Sequence, residues 1–233
     1  MRIDVVSLFP EFFKGPLSAS LLKHAAAKGK VQFHLQNPRD FTVDRHRTVD
    51  EKPFGGGAGM VLKPEPIFKC VESIPGKGWV ILLSPRGRNF TQARAQALAR
   101  KKHLVLISGH YEGIDERVAR HLADEEISIG DFVTMGGEAP ALCLIESVVR
   151  LVPGVLGNPD SLKEESFTVA RNGQSHQRLE FPQYTRPRVF RGWQVPAVLL
   201  SGNHPVIREW RKKQSLSVTR KNRPDLLKAA KKK

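Results

Sequence analysis

Residues Trp79–Leu122 read WVILLSPRGRNFTQARAQALARKKHLVLISGHYEGIDERVARHL, and this stretch decides the fold. Two short runs rich in β-branched and aliphatic residues, Trp79–Leu83 and Leu104–Ser108, each end in a polar loop that carries glycine. Each loop gives way to a segment of helical period: Thr91–Arg100, with Thr91 near its cap, and Ile114–Leu122. Apolar runs bounded by Gly, Pro or Asp read as strands, and apolar residues recurring at three and four positions read as helices. Strand and helix in strict alternation predict an α/β fold, a sheet with helices on its faces.

The same pattern extends outward. Ile3–Phe9, Val31–Gln36 and Ile127–Val133 are further expected strands, and Leu17–Ala27 and Glu65–Glu72 further helices. Ala141–Val152 is a helix apolar nearly all round, which suits a core helix or a subunit interface. From Pro153 to Pro187 no periodicity persists, and a stretch that long is a linker or a functional loop. Beyond it Pro205–Leu216 and Pro224–Ala230 read as short helices, the first carrying Arg208, Arg211, Lys212 and Lys213 around Trp210, and Lys231–Lys233 as a frayed tail. The expected division is a front domain over 1–158, a linker over 159–181 and a small, mainly helical domain over 182–233.

Charge separates the two ends. Of the 233 residues, 1–158 hold 21 lysines and arginines against 17 acids, whereas 159–233 hold 17 against 6. The back third therefore faces a polyanion; nucleic acid, an anionic membrane surface and a ribosomal partner all meet that description. No apolar run approaches the roughly 18 residues a membrane helix needs, and the opening Met1-Arg2-Ile3-Asp4 places an acid before a strand, so the chain reads as cytoplasmic with no membrane partner. Cys70 and Cys143 lie far apart in apolar stretches without metal-ligand spacing and are expected to be buried, reduced thiols; no metal site is read from them.

Neither Gly-x-Gly-x-x-Gly nor Gly-x4-Gly-Lys-[Ser/Thr] occurs, which excludes the standard dinucleotide and P-loop sites. Glycines instead gather in loops at strand ends: Ser84–Arg88, Ser108–Gly113 and Ser128–Gly137. In open α/β sheets ligands bind at the carboxyl ends of strands, and glycine there lets the backbone touch the ligand. Tight turns without a ligand would use the same residues.

Taken together with other strings, these loops resemble bacterial tRNA (guanine-N1)-methyltransferases of the SPOUT superfamily. The resemblance rests on Ser7–Pro10, Pro38–Phe41, Asp44–Asp50, Phe54–Gly57 with Gly59-Met60, Tyr111–Arg117, Ser128–Asp131, Gly136–Glu138, Pro153–Gly157, Tyr184–Pro187 and Pro196–His204, in this order along nearly the whole chain. It implies a SPOUT-type parallel-sheet domain with a deep trefoil knot formed by the loops after Leu83, Ser108 and Ile127. Physical rules alone do not predict a knot, since threaded connections are very rare. It further implies S-adenosylmethionine as methyl donor, guanine 37 of tRNA as acceptor, and a homodimer whose subunits share each active site. Donor contacts are expected at Leu83, Ser84, Pro85, Gly109, Tyr111, Gly113, Ser128, Ile129, Gly130, Asp131, Phe132, Val133, Thr134, Gly136 and Gly137.

The implied reaction sets its own requirements. Guanine N1 carries a proton at neutral pH, so a base must remove it, and charge building on O6 calls for a fixed cation or N–H donor. The family's positions for these groups correspond to Glu165, ahead of Ser166-Phe167, and Arg150, ahead of the Pro153–Gly157 string. The family has aspartate where Glu165 stands, and the extra methylene moves the carboxylate by roughly 1 Å, a distance that matters in near-attack geometry. Glu164 and Asp160 are the alternatives, and magnesium remains open as an aid to proton removal. Thr168–Glu180 departs from the family by being basic and polar, and Ala58 stands where proline is common.

For RNA contact the candidates are Arg186, Arg188, Arg191, Arg208, Arg211, Lys212, Lys213, Arg220, Lys221 and Arg223, with Arg45, His46 and Asp50 too charged for a core and placed toward RNA or the site rim. Two other readings keep some of these features: a SPOUT enzyme acting on ribose 2′-OH or rRNA, and a non-catalytic RNA-binding module.

Overall fold

Side chains along each strand of the main sheet alternate between two apolar layers, and this alternation dictates the architecture. In the computed structural model, which describes residues 1–158, 161–162, 164–168 and 178–229, β1 (Arg2–Val6) and β2 (Gln32–Gln36) join β5 (Trp79–Asn89), β6 (His103–Ser108) and β7 (Glu125–Ser128). They form a fully parallel sheet in the order β2-β1-β6-β5-β7. The short β3 (Asp50–Glu51) and β4 (Val61–Leu62) pair antiparallel beside it.

Ile3, Val5, Ile81, Leu83, Leu104 and Leu106 face one layer. There they meet Phe13 of α1 (Glu11–Leu17), Leu22 and Ala25 of α2 (Ser20–Ala27), Ala95 and Leu98 of α4 (Gln92–Ala99), and the buried stripe of α6 (Glu138–Val149). The interleaved Val6, Val80, Leu82, Val105 and Ile107 face the other layer, against Ile67 and Cys70 of α3 (Pro64–Glu72) and Val118 of α5 (Glu116–His121). Each large aliphatic side chain so buried contributes about 1.5–3 kcal/mol, so the period-two pattern holds every strand in register.

The chain divides into two compact units, Met1–Gly157 and Asn158–Lys233. The second contains a hairpin of β8 (Val189–Phe190) and β9 (Trp193–Gln194), a 3-10 turn at Ala197–Leu200, α7 (His204–Asn222) and α8 (Pro224–Ala229). No helix among the described residues is long and apolar enough to cross a membrane.

Several expectations need correction. The strand expected over Ile127–Val133 ends at Ser128, where the Ser128 hydroxyl accepts from Gly130 N at 3.2 Å and donates to Gly130 O at 2.9 Å, closing a turn. Phe132 and Val133 are consequently exposed. Leu17 ends α1 instead of starting the next helix, and α1 itself, with Gly15 and Pro16 in its last turn, carried no readable signal. Of the two cysteines Cys70 is buried, and burial, assisted by Asp40 and Asp4, pushes its thiol up to about 12. Cys143 is exposed instead, because α6 turns Ala139, Cys143 and Glu146 outward along one stripe. The tail Lys231–Lys233 and Ala230 lie outside the described residues.

Candidate active site

At the carboxyl ends of β6 and β7, and past Leu83 within β5, three loops converge on one cleft of about 900 Å³. Leu83, Ser84 and Pro85 come from the first, which was expected to follow a strand ending at Leu83 but lies inside β5 as the irregular stretch between Leu83 and Arg88; Gly109, Tyr111 and Gly113 come from the second, and Ser128, Ile129, Phe132, Val133, Thr134, Gly136 and Gly137 from the third. Of the expected donor contacts, Gly130 and Asp131 are not on the cleft wall; they form the turn that the Ser128 hydroxyl closes, and the Asp131 side chain is exposed.

Backbone bonds hold the loops in place. Gly137 N donates to Gly109 O at 2.7 Å, Gly113 N to His110 O at 3.2 Å, Leu62 N to Gly113 O at 3.0 Å and Asp115 N to Leu62 O at 3.0 Å. The second loop is thus fixed to β4 on one side and to the start of α6 on the other. Glycine at 137 is required by that approach: a Cβ there would stand 2.7 Å from Ser108 Cα and 2.8 Å from Gly109 N. Tyr111 adopts φ 59, a left-handed conformation uncommon for a non-glycine residue.

The walls add groups that reading the sequence did not single out. Arg86 donates to Glu116 Oε2 at 2.8 Å and lies 3.6 Å from Glu126, and all three residues line the cleft. The ion pair raises the guanidinium pKa and holds the Glu116 carboxyl below its usual range. Behind the cleft the buried Glu138 accepts from Ser7 Oγ at 2.7 Å at the amino end of α6, where the helix favours negative charge. His110 Nδ1 stands 3.7 Å from Glu138 Oε2, too far for a hydrogen bond. That atom and Glu126 Oε1 are buried without a hydrogen-bond partner, and such buried polar atoms are rare in finished structures. A carboxylate directly after two glycines at a helix start, Gly136-Gly137-Glu138, was the available signal for this corner.

Arg150 does not line the cleft. Arg150 is half-buried and ends α6, whose other end, at Gly137 and Pro140, is on the cleft wall. A rise of 1.5 Å per residue puts the two helix ends about 20 Å apart. Glu165 belongs to the second unit, where its carbonyl accepts from Thr168 N at 3.3 Å and from Thr168 Oγ1 at 2.6 Å. Asp160, the alternative base, lies outside the described residues, as does most of Thr168–Glu180. Glu164 is exposed and pairs with Arg211 at 3.2 Å.

Arg45 and His46 are exposed in the loop before β3, where Asp44 accepts from Thr48 N and Oγ1; Asp50 is half-buried in β3. Arg186, Arg188, Arg191, Arg208, Lys212, Lys213, Arg220, Lys221 and Arg223 are exposed, whereas Arg211 is drawn inward over the Phe181 ring, 4.6 Å from its centroid. Among the described residues no group of three or more His, Cys, Asp or Glu is arranged to hold a metal ion.

Residues 1–229 match the family model described as tRNA (Guanine-1)-methyltransferase TrmD. A tRNA (guanine-N(1)-)-methyltransferase of Gloeobacter violaceus is 58% identical over 230 residues, covering 97% of this chain and 98% of its own. Like-named proteins of Dictyoglomus turgidum and Carboxydothermus hydrogenoformans are each 57% identical, over 97% and 98% of this chain and 90% and 88% of theirs.

Proposed function

Since the chain belongs to the tRNA (guanine-1)-methyltransferase family, we propose that it transfers a methyl group from S-adenosylmethionine to N1 of guanine 37 in tRNA, with the donor seated in the cleft beyond β5, β6 and β7. The observation that carries this reading is the convergence of three glycine-bearing loops on one cleft at the carboxyl edge of a parallel sheet. The cleft fits such a donor: its volume lies in the range of pockets that enclose a ligand of that size, and Gly109, Gly136 and Gly137 bring backbone to its wall. Glu126 Oε1, 3.6 Å from Arg86 and without a hydrogen bond, offers an acceptor for an amino group.

The donor supplies a methyl carbon on a sulfonium sulfur, and the pair of the breaking C–S bond stays with sulfur. Everything else falls to the chain. Glu165 takes the N1 proton, which frees the lone pair that attacks, and Arg150 offsets the negative charge that builds on O6. A ribose acceptor develops no such charge, and the relatives are named for reaction at guanine N1, so the reading excludes ribose.

Two further parts of the proposal have structural support. Ile127 of β7 pairs in parallel with both Leu83 and Arg88, and a Cβ on Gly87 would stand 2.5 Å from the Glu126–Ile127 backbone. A double register on one residue, with so close an approach at Gly87, supports the reading that residues 84–87 wrap over β7, as a trefoil knot needs. The roughly 15 Å along α6 between Arg150 and Pro140, its nearest residue on the cleft wall, favours a homodimer in which Arg150 serves the partner's cleft.

The test is to incubate the purified chain with labelled S-adenosylmethionine and an unmodified tRNA transcript, then to digest the RNA and identify the product. Label in 1-methylguanosine is expected; label on ribose, or tRNA binding without transfer, would sink the proposal. Glu165→Gln is expected to lose at least 100-fold in transfer rate while binding the donor as before, and undiminished turnover would move the base role to Glu164 or Asp160.

A further inference from the structure

The β8–β9 hairpin displays two aromatic rings to solvent on a stretch of the second unit that carries arginines and no acid. Val189 pairs with Gln194 and Phe190 with Trp193, and the turn between them, Arg191-Gly192, has φ 51 and 81. Positive φ at both central residues is the signature of the tight two-residue hairpin turn, and Val195 N closes the ladder onto Arg188 O at 2.9 Å. Directly opposed residues share one face, so Phe190 and Trp193 stand together. They are 55% and 69% exposed, although large aromatic side chains usually gain by burial.

We propose that this hairpin is a stacking platform for an unpaired nucleobase of the RNA substrate, a site that rests on the tRNA reading above and adds to it. The ring centroids lie 6.2 Å apart and the planes are inclined by 51°. A base held between two rings needs them parallel and about 7 Å apart, twice the optimum carbon–carbon separation, so the pair cannot sandwich one. Arg191 covers Phe190, its guanidinium carbon 5.3 Å from that ring centroid. Trp193, the more exposed ring, is left to take the base, with Arg191 placed for the adjoining phosphate.

Charge selects RNA over the other occupants. Between Glu180 and Glu209 the chain carries Arg186, Arg188, Arg191 and Arg208 and no acid, and all four arginines are exposed. A second copy of this chain docking here would set those cations against themselves, whereas unpaired RNA offers both a π face and a phosphate.

The experiment compares wild type, Trp193→Ser, Trp193→Phe and Arg191→Ala for binding of an unmodified tRNA transcript over a series of salt concentrations, with donor affinity as the check on folding. Trp193→Ser is expected to bind about tenfold more weakly with an unchanged salt slope, since stacking carries no counterion release. Trp193→Phe should hold close to wild type, and Arg191→Ala should reduce the slope by about one. Wild-type affinity in Trp193→Ser, or an equal loss in Trp193→Phe, would overturn the platform, as would loss of self-association in sedimentation at unchanged tRNA affinity. If wild type methylates the tRNA while Trp193→Ser binds it normally, only the platform fails; if wild type binds it without forming 1-methylguanosine, the methyltransferase reading fails instead.

Discussion

Asp4 has no exposed surface, yet it carries a carboxylate on β1, a strand flanked on both sides in the sheet. Arg2 reaches it through Nε at 2.6 Å and Nη2 at 2.9 Å, and His103 Nε2 from the neighbouring β6 at 2.8 Å. Burial works to raise the Asp4 carboxyl pKa, but the hydrogen bonds and charges of Arg2 and His103 outweigh it and hold the pKa below the usual aspartate range. A group depressed in the folded state stabilises the fold at every pH above its unfolded value. That contribution fades as pH falls through the folded value. Asp4→Asn should therefore cost about 3 kcal/mol in urea unfolding at pH 7, the scale of breaking a buried pair. The gap from wild type should narrow near pH 3, and a gap of constant size would show that packing, not charge, is what Asp4 contributes. In the sequence Asp4 was only an acid at the start of a strand; the strand order, which brings His103 beside it, explains its place.

Elements were legible where the local signal and the tertiary demand agreed. Thr91 read as a cap and is one: its hydroxyl accepts from Arg94 N at 3.3 Å at the start of α4. Removing it in Thr91→Ala should cost about 1 kcal/mol, seen as a melting point lower by about 3 °C with donor affinity unchanged; an unshifted melting point would mean that solvent replaces the cap. The expected helix over Pro205–Leu216 runs on instead to Asn222, through Ser215, Ser217 and Thr219, residues of modest helix propensity. It continues because Thr219 Oγ1 accepts from Leu179 N at 2.9 Å and Ser215 Oγ donates to Leu179 O at 2.7 Å, contacts between residues far apart in sequence. The same limit explains β7. Its apolar letters carry on to Val133, but Gly130-Asp131 and the Ser128 hydroxyl turn the chain, and the residues that looked like strand become the cleft wall. The candidate donor site was thus readable as three loops, whereas its second layer, Ser7 with Glu138 and Arg86 with Glu116, depends on residues that meet only after the sheet has formed.

For the molecule as a whole the proposed roles of Arg150 and the cleft in one reaction raise a question of distance. Arg150 follows Pro140, the nearest cleft-wall residue of α6, by ten residues, about 15 Å along a straight helix and more than an arginine side chain spans. A symmetric dimer resolves this if each cleft is completed by the other subunit's Arg150, and the outward stripe of α6 at Ala139, Cys143 and Glu146 is the kind of surface a second copy would cover. Complementation between two inactive chains tests the idea directly. Arg150→Ala keeps its cleft but loses its cation; Ile129→Trp keeps Arg150 but fills its own cleft with the larger ring. Each alone should be nearly inactive. Unfolded and refolded together in equal amounts, they form mixed dimers as about half the population, each with one sound site out of two, so transfer should return to about a quarter of the wild-type rate. Should the mixture stay as inactive as its components while sedimentation shows that mixed dimers have formed, Arg150 acts within its own subunit, and α6 must then present it to the substrate by a route other than a partner's cleft.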